Sequence, residues 1–64
     1  MTSNELLRRL GRLGAEMVPD RGKGGHVMVV LRGRPAFVPT GSGDIKRGTL
    51  LGILRTLGLR LRDL

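Results

Sequence analysis

The absence of cysteine from a chain of only 64 residues is the feature that most limits what this sequence can fold into. A domain of this size buries about 60% of the surface that its unfolded chain exposes, so it can build only one small hydrophobic core. Disulfides and thiolate metal ligands, the usual supports of small scaffolds, are excluded. The sequence therefore predicts a single domain over residues 1–64, with no large substrate cavity, suited to a reducing cytosol.

Apolar runs in the chain are too short for a membrane helix. The longest extends from Val27 to Leu31, whereas a membrane span needs roughly 18 residues. The N-terminal residues Met-Thr-Ser-Asn-Glu lack the basic start and apolar region of a signal peptide. We therefore expect a cytoplasmic protein with no membrane partner.

Positive charge is concentrated in the second part of the chain. Twelve Lys and Arg against five Asp and Glu give a net charge of +7, and residues 1–20 contribute none of it. Most of the basic residues are Arg, whose planar guanidinium suits phosphate. Nucleic acid is the first partner to consider. The alternatives are a surface that serves only solubility and one that matches an acidic protein.

The first 19 residues are predicted to form a helix and a short strand. Thr2 and Glu5 have the spacing of a capping box, and leucines at helical spacing predict a helix over residues 3–13. Gly14 is placed to cap its C-terminus in the left-handed conformation. A strand over residues 15–18 should follow and stop before Pro19.

A hairpin is predicted in the middle of the chain. The strand His26–Leu31 has the clearest β pattern, and Arg32-Gly33-Arg34 is typical of a tight connection to a partner strand over residues 35–38, stopped by Pro39.

The last third of the chain should be helical. Asp44 is placed to cap or precede a helix from about Lys46 to Leu57, ended by Gly58. For the tail over residues 59–64, the sequence is compatible with a strand, a frayed turn or disorder. The resulting fold class is α+β: a two-layer α-β-β-β-α domain in which a three-stranded antiparallel sheet carries both helices on one face. Its other face is left to solvent or a partner.

His26 is the only histidine, and it follows a basic loop rich in glycine. A lone histidine on a strand is usually structural, and glycines in a hairpin loop commonly serve only the turn. However, Gly22, Gly24 and Gly25 allow a phosphate to approach the backbone, and Arg21 and Lys23 can hold it. No P-loop or metal-ligand spacing is present, so we expect no metal and no cofactor.

Several segments together resemble the HicA family of toxins. They are Leu6-Leu7-Arg8-Arg9-Leu10, Gly24-Gly25-His26, Val38-Pro39, and the run from Asp44 to Leu50 that continues into Ile53-Leu54 and Leu57-Gly58-Leu59. The resemblance covers about residues 3–59. It implies a fold similar to double-stranded-RNA-binding domains, ribosome-independent cleavage of mRNA, a cognate HicB antitoxin, and a catalytic role for His26.

The sequence departs from the family pattern at three positions. Gly25 stands where serine is common, Val27 replaces an often polar neighbour, and Thr40 follows Val38-Pro39 where many members have a second histidine. These departures leave His26 as the one candidate general acid or base.

The chemistry that these residues permit is attack of a ribose 2′-hydroxyl on the adjacent phosphate without a metal. His26 can remove the hydroxyl proton or protonate the leaving 5′-oxygen. Lys23, Arg21 or the start of the second helix can stabilise the developing charge. Lys46 and Arg47 resemble the phosphate-binding residues of a double-stranded-RNA-binding helix, although a solvated helix start is an equal alternative.

Three functions therefore compete at the level of sequence. The first is an RNA-cleaving toxin that is neutralised by a HicB-like antitoxin. The second is a nonenzymatic RNA-binding domain of the same fold. The third is a basic adaptor that binds only an acidic protein.

Overall fold

A computed structural model of the chain describes residues 1–19, 25–41 and 43–64 and has the order α-β-β-β-α. The elements are α1 (Ser3–Arg12), β1 (Glu16–Pro19), β2 (His26–Leu31), β3 (Arg34–Pro39), α2 (Arg47–Thr56) and a C-terminal 3₁₀ helix (Leu61–Asp63). The three strands form one antiparallel sheet in the order β1-β2-β3. The predicted α+β fold class is confirmed.

Both helices pack on one face of the sheet, and the core lies between the two layers. Successive strand residues point to opposite faces, so Val29, Leu31, Ala36 and Val38 all face the helices. These residues pack with apolar side chains of the helices and of the segments that flank α2: Leu6, Leu10, Ile45, Leu50, Ile53, Leu54 and Leu57. Within the described ranges, no helix is long and apolar enough to cross a membrane.

The opposite side of the sheet, here called the outer face, is formed by the alternate residues of the strands. In the described residues it consists of Glu16, Val18, His26, Met28, Val30, Pro35, Phe37 and Pro39. Val18 and Phe37 are strongly exposed, at 42% and 59% of their surface. The fold therefore confirms the prediction that both helices lie on one face of the sheet and leave the other uncovered.

Only half of the predicted capping box of α1 forms. The Thr2 hydroxyl accepts a hydrogen bond from the Glu5 backbone N–H at 3.2 Å. The Glu5 carboxylate does not reach back, because it accepts a hydrogen bond from the Arg9 guanidinium at 2.9 Å. This hydrogen bond and the Arg9 charge lower the pKa of Glu5. The helix ends at Arg12, one residue earlier than predicted, and Gly14 follows at a φ of +98° as the predicted left-handed residue.

The predicted boundaries of β1 were wrong by one residue at each end. The strand covers Glu16–Pro19, because Glu16 pairs with Val30 and Pro19 pairs with Val27. Pro19 is the last residue of the strand rather than the residue that stops it. A proline can end an edge strand because its missing N–H removes little from the ladder there.

The connection between β2 and β3 is shorter than predicted. Arg32 and Gly33 both have positive φ, at 53° and 81°, which is the conformation of a two-residue type I′ turn. Arg34 therefore pairs with Leu31 inside the ladder, and Pro39 pairs with His26. The predicted three-residue connection and the predicted strand bounds of residues 35–38 were therefore wrong, because β3 covers Arg34–Pro39.

Asp44 precedes α2 but does not cap it. Its carboxylate lies 3.6 Å from the N-terminal amine of Met1, and the N-cap residue of α2 is Lys46, which makes no side-chain capping bond. The helix covers Arg47–Thr56, one residue shorter at each end than predicted, and Gly58 follows with a φ of +75°. The tail forms a 3₁₀ turn, in which the Asp63 carboxylate accepts a hydrogen bond from the Arg60 N–H at 2.7 Å.

Candidate functional site

His26 is the first residue of β2, and its side chain is exposed. It pairs with Pro39 at the end of β3, while the next pair, Val27 and Val38, lies on the helix-facing side. Because side chains alternate along a strand, the imidazole projects from the outer face. The predicted catalytic residue is therefore accessible to a large ligand at one corner of the uncovered sheet face.

The backbone around His26 is held by a hydrogen bond between the two neighbouring strand ends. The Thr40 N–H donates to the Gly25 carbonyl at 2.8 Å, which ties the residue before β2 to the residue after β3. Gly25 has a φ of +105°, while a Cβ built there would meet no atom within 4 Å. The backbone conformation at position 25 therefore favours glycine, although there is space for a side chain.

The three positions that depart from the HicA pattern have different relations to His26. Gly25 and Thr40 flank the imidazole corner through their shared hydrogen bond. Val27 is partly buried and packs against the core on the other side of the sheet. The departure at Val27 thus belongs to the core, whereas those at Gly25 and Thr40 lie beside the candidate site.

Within the part of the chain that the structure describes, no hydrogen bond or salt bridge joins the His26 imidazole to another residue. Neither ring nitrogen is committed there, so one can accept a proton while the other donates. Over the same residues, His, Asp and Glu side chains form no group of three that could hold a metal ion.

Lys46 and Arg47 are not brought into contact with His26. Both are exposed at the start of α2, which packs on the helix-facing side of the sheet, whereas His26 projects from the outer face. The salt bridges of the described ranges join only Met1 to Asp44 and Arg9 to Glu5, so neither Lys46 nor Arg47 is neutralised there. The predicted pair therefore lies away from the sheet corner that carries His26.

The other predicted phosphate-binding residues, Arg21, Lys23 and Gly24, lie outside the described residues. Their placement beside His26 rests on their position in the sequence, immediately before Gly25. The glycine-rich loop therefore remains a prediction.

One residue of the outer face was missed by sequence reasoning. Phe37 is the only aromatic residue in the chain and is the most exposed of its large hydrophobic residues in the described part. The signal was the alternation of β3, in which inward-facing Ala36 and Val38 flank Phe37. The alternation alone does not show that Phe37 lies near His26, because that depends on how β3 pairs with β2.

These features define a class of protein: a small basic α+β domain with an exposed histidine at the corner of an uncovered sheet. The sequence model of one family, described as the HicA toxin of bacterial toxin–antitoxin systems, matches residues 3–59 of the 64-residue chain. The chain belongs to the HicA toxin family, and is thus a toxin of a toxin–antitoxin system. No curated protein and no solved structure gives a significant match to the chain.

Proposed function

We propose that this toxin is a metal-independent endoribonuclease that cleaves mRNA without the ribosome, with His26 as general acid or base. The observation that carries the proposal is the family match over residues 3–59, which includes an exposed histidine at the loop-to-strand position that resembles the family's catalytic one. Nuclease-type activity is general in the family, and the net charge of +7 suits an RNA substrate.

The proposed reaction is an internal transesterification of RNA. The ribose 2′-oxygen attacks the adjacent phosphorus, the bond from phosphorus to the 5′-oxygen breaks, and the products carry a 2′,3′-cyclic phosphate and a 5′-hydroxyl. His26 either takes the proton from the 2′-hydroxyl or gives one to the leaving 5′-oxygen. Water or the substrate supplies the other transfer, and the basic groups nearby stabilise the charge that develops on the phosphate.

We assign RNA binding to two groups of residues. Arg21, Lys23, Gly24 and Gly25 precede His26 in the sequence and would hold the scissile phosphate. Lys46 and Arg47 would hold a phosphate further along the RNA, because they are exposed at the start of α2 on the other side of the sheet from His26. Cations at both places would extend the contact beyond one nucleotide.

Combined Lys46→Ala and Arg47→Ala substitutions should weaken RNA binding and reduce its salt dependence. Each phosphate contact releases counterions, so the slope of log K against log salt should become shallower by roughly one to two units. The measurement is a fluorescence-anisotropy titration with a labelled RNA at several salt concentrations.

A charge-matched control for this experiment is the Arg8→Ala and Arg12→Ala pair on α1, where both side chains are exposed. It removes two positive charges from another surface and should leave more of the slope intact. Equal slopes for the two double variants would show that the pair at the start of α2 makes no phosphate contact of its own.

We further propose that the partner of this toxin is a HicB-like antitoxin with an acidic surface. It would cover His26, Lys23 and the start of α2, and so block RNA sterically without changing the fold of the toxin. Opposite charges speed encounter, so the association rate should fall as salt rises.

The antitoxin is expected to form a stable complex that lacks RNA-cleaving activity. The measurement is co-purification of the two proteins, followed by an RNA-cleavage assay of the complex and of the free toxin. Undiminished cleavage by the complex would show that neutralisation does not involve covering His26.

A nonenzymatic RNA-binding domain is the second candidate. It is favoured by the isolation of His26 in the described residues, where no second titratable side chain forms a hydrogen bond or an ion pair with the imidazole. Incubation of the purified toxin with RNA distinguishes the two candidates, because a binding domain retards the RNA but leaves its length unchanged.

A further inference from the structure

The outer face of the sheet carries a strip of apolar residues that leads from the hairpin turn to His26. Along β3 this strip consists of Pro35, Phe37 and Pro39, and the residues opposite them on β2 are Val30, Met28 and His26. Phe37 is 59% exposed at the centre of the strip. An aromatic ring left in water at this degree of exposure contributes little to the core, so its position calls for another explanation.

The register places Phe37 next to His26. His26 is directly opposite Pro39, and Phe37 is two residues before Pro39 on the same face. Diagonal neighbours of this kind are about 7–8 Å apart at their backbones, within reach of ring side chains. Met28 lies directly opposite Phe37 and two residues after His26, on the same face.

We propose that Phe37 is a stacking platform for an RNA base adjacent to the scissile phosphate. The inference rests on the proposed function, because an imidazole that transfers a proton to or from the sugar must lie beside the backbone at the point of cleavage. A nucleotide next to the cleaved bond is then within reach of the same corner of the outer face. The faces of a base are flat and apolar, so they can pack against the exposed ring of Phe37. Stacking on aromatic side chains is a common way in which proteins bind single-stranded RNA.

The charge of the chain favours RNA over a second copy of the toxin as the occupant of this face. Two chains of +7 each repel one another, whereas an RNA strand attracts both. Only Glu16 opposes RNA on the described part of the face, and it pairs with Val30, toward the end of β2 away from His26. The part of the strip from Phe37 to His26 therefore carries no acidic residue in the described part of the face.

Replacement of Phe37 by Trp gives a direct probe, because the chain contains no other Trp and no Tyr. Titration of the Phe37→Trp protein with a 2′-O-methyl RNA oligonucleotide, which cannot undergo cleavage, should quench the fluorescence as a base stacks on the indole. Quenching that appears when the protein alone is concentrated would indicate self-association and overturn the proposal. Quenching by the antitoxin but not by the oligonucleotide would overturn it as well.

The energetic test is a double-mutant cycle, in which the Phe37 substitution is combined with removal of single bases from the oligonucleotide and binding is measured. Phe37→Ala should weaken binding of the intact oligonucleotide about 5- to 100-fold, with no loss of thermal stability, while Phe37→Trp retains binding. In a series of oligonucleotides with one abasic position each, one position should abolish the difference between the wild type and Phe37→Ala. The control Leu51→Ala removes another exposed apolar side chain, 39% exposed on α2, and should leave RNA binding unchanged.

A cleavage assay separates failure of this inference from failure of the proposed function. If the wild type cleaves RNA in a His26-dependent manner but no abasic position couples to Phe37, the stacking platform is wrong and the nuclease proposal stands. If the wild type neither binds nor cleaves RNA, both are wrong. Coupling at one position, together with reduced kcat/KM for Phe37→Ala and its rescue by Phe37→Trp, supports the platform.

Discussion

Purified His26→Ala protein is expected to leave RNA intact under conditions in which the wild type degrades it, with a loss of rate of about 10²- to 10⁴-fold. His26 is the only histidine of the chain, so no other imidazole can take over the proton transfer. Its side chain is exposed and makes no hydrogen bond within the described residues, so its removal should not disturb the fold.

The assay compares RNA integrity over time for the wild type, His26→Ala and His26→Asn, with circular dichroism to verify folding. Asparagine keeps a planar polar side chain but carries no titrating proton, so it should be as inactive as alanine. Asn4→Ala, at an exposed position of α1, is the control that should retain full activity. Cleavage by folded His26→Ala protein at the wild-type rate would remove His26 from the mechanism.

The second large effect is expected from the core. Leu54 on α2 is fully buried, with no exposed surface, and Leu54→Ala should lower the free energy of unfolding by about 2–5 kcal/mol. A domain of 64 residues has a total stability of only about 3–10 kcal/mol. The variant should therefore be largely destabilised, which chemical denaturation followed by circular dichroism can measure.

The matched control for the core prediction lies on the same helix. Leu51→Ala is the same substitution at a side chain that is 39% exposed, and it should cost much less. Because both changes replace leucine by alanine within α2, helix propensity cancels and the difference reports burial. Equal losses for the two variants would contradict the packing of α2 against the sheet.

The order of elements could be predicted from the sequence because each depends on local patterns. Leucines at helical spacing marked both helices, and the run from His26 to Leu31 marked β2 with its observed bounds. Gly14 and Gly58 marked helix ends, where both adopt positive φ. These signals act within a few residues and need no knowledge of the tertiary fold.

The errors in the prediction arose where distant residues decide the structure. β1 begins at Glu16 and includes Pro19 because of its register with β2. Of the two roles predicted for Asp44, it precedes the helix without capping it, and it lies beside the amine of Met1, a partner that is 43 residues away in sequence and adjacent only after folding. Strand bounds and ion pairs of this kind follow from tertiary contacts.

The sequence could single out candidate residues, but it could not show how they are placed relative to one another. The glycine-rich motif and the family resemblance singled out His26, Lys46 and Arg47 in the sequence. The strand register adds that His26 and Phe37 share the outer face, whereas α2 lies on the other side. A shift of the register by one residue would reverse the face of every side chain on β2, so local patterns could not supply this result.

The most direct test of the proposed mechanism is the chemistry of the cleaved ends. Purified wild-type toxin, incubated with RNA in excess EDTA, should produce fragments with a 2′,3′-cyclic phosphate and a 5′-hydroxyl. An RNA with a single 2′-deoxy nucleotide at the mapped cleavage position lacks the attacking hydroxyl there, so it should resist cleavage at that position only. Fragments with 5′-phosphate ends, cleavage at the 2′-deoxy position, or activity that appears only when magnesium is restored would contradict metal-free transfer by His26.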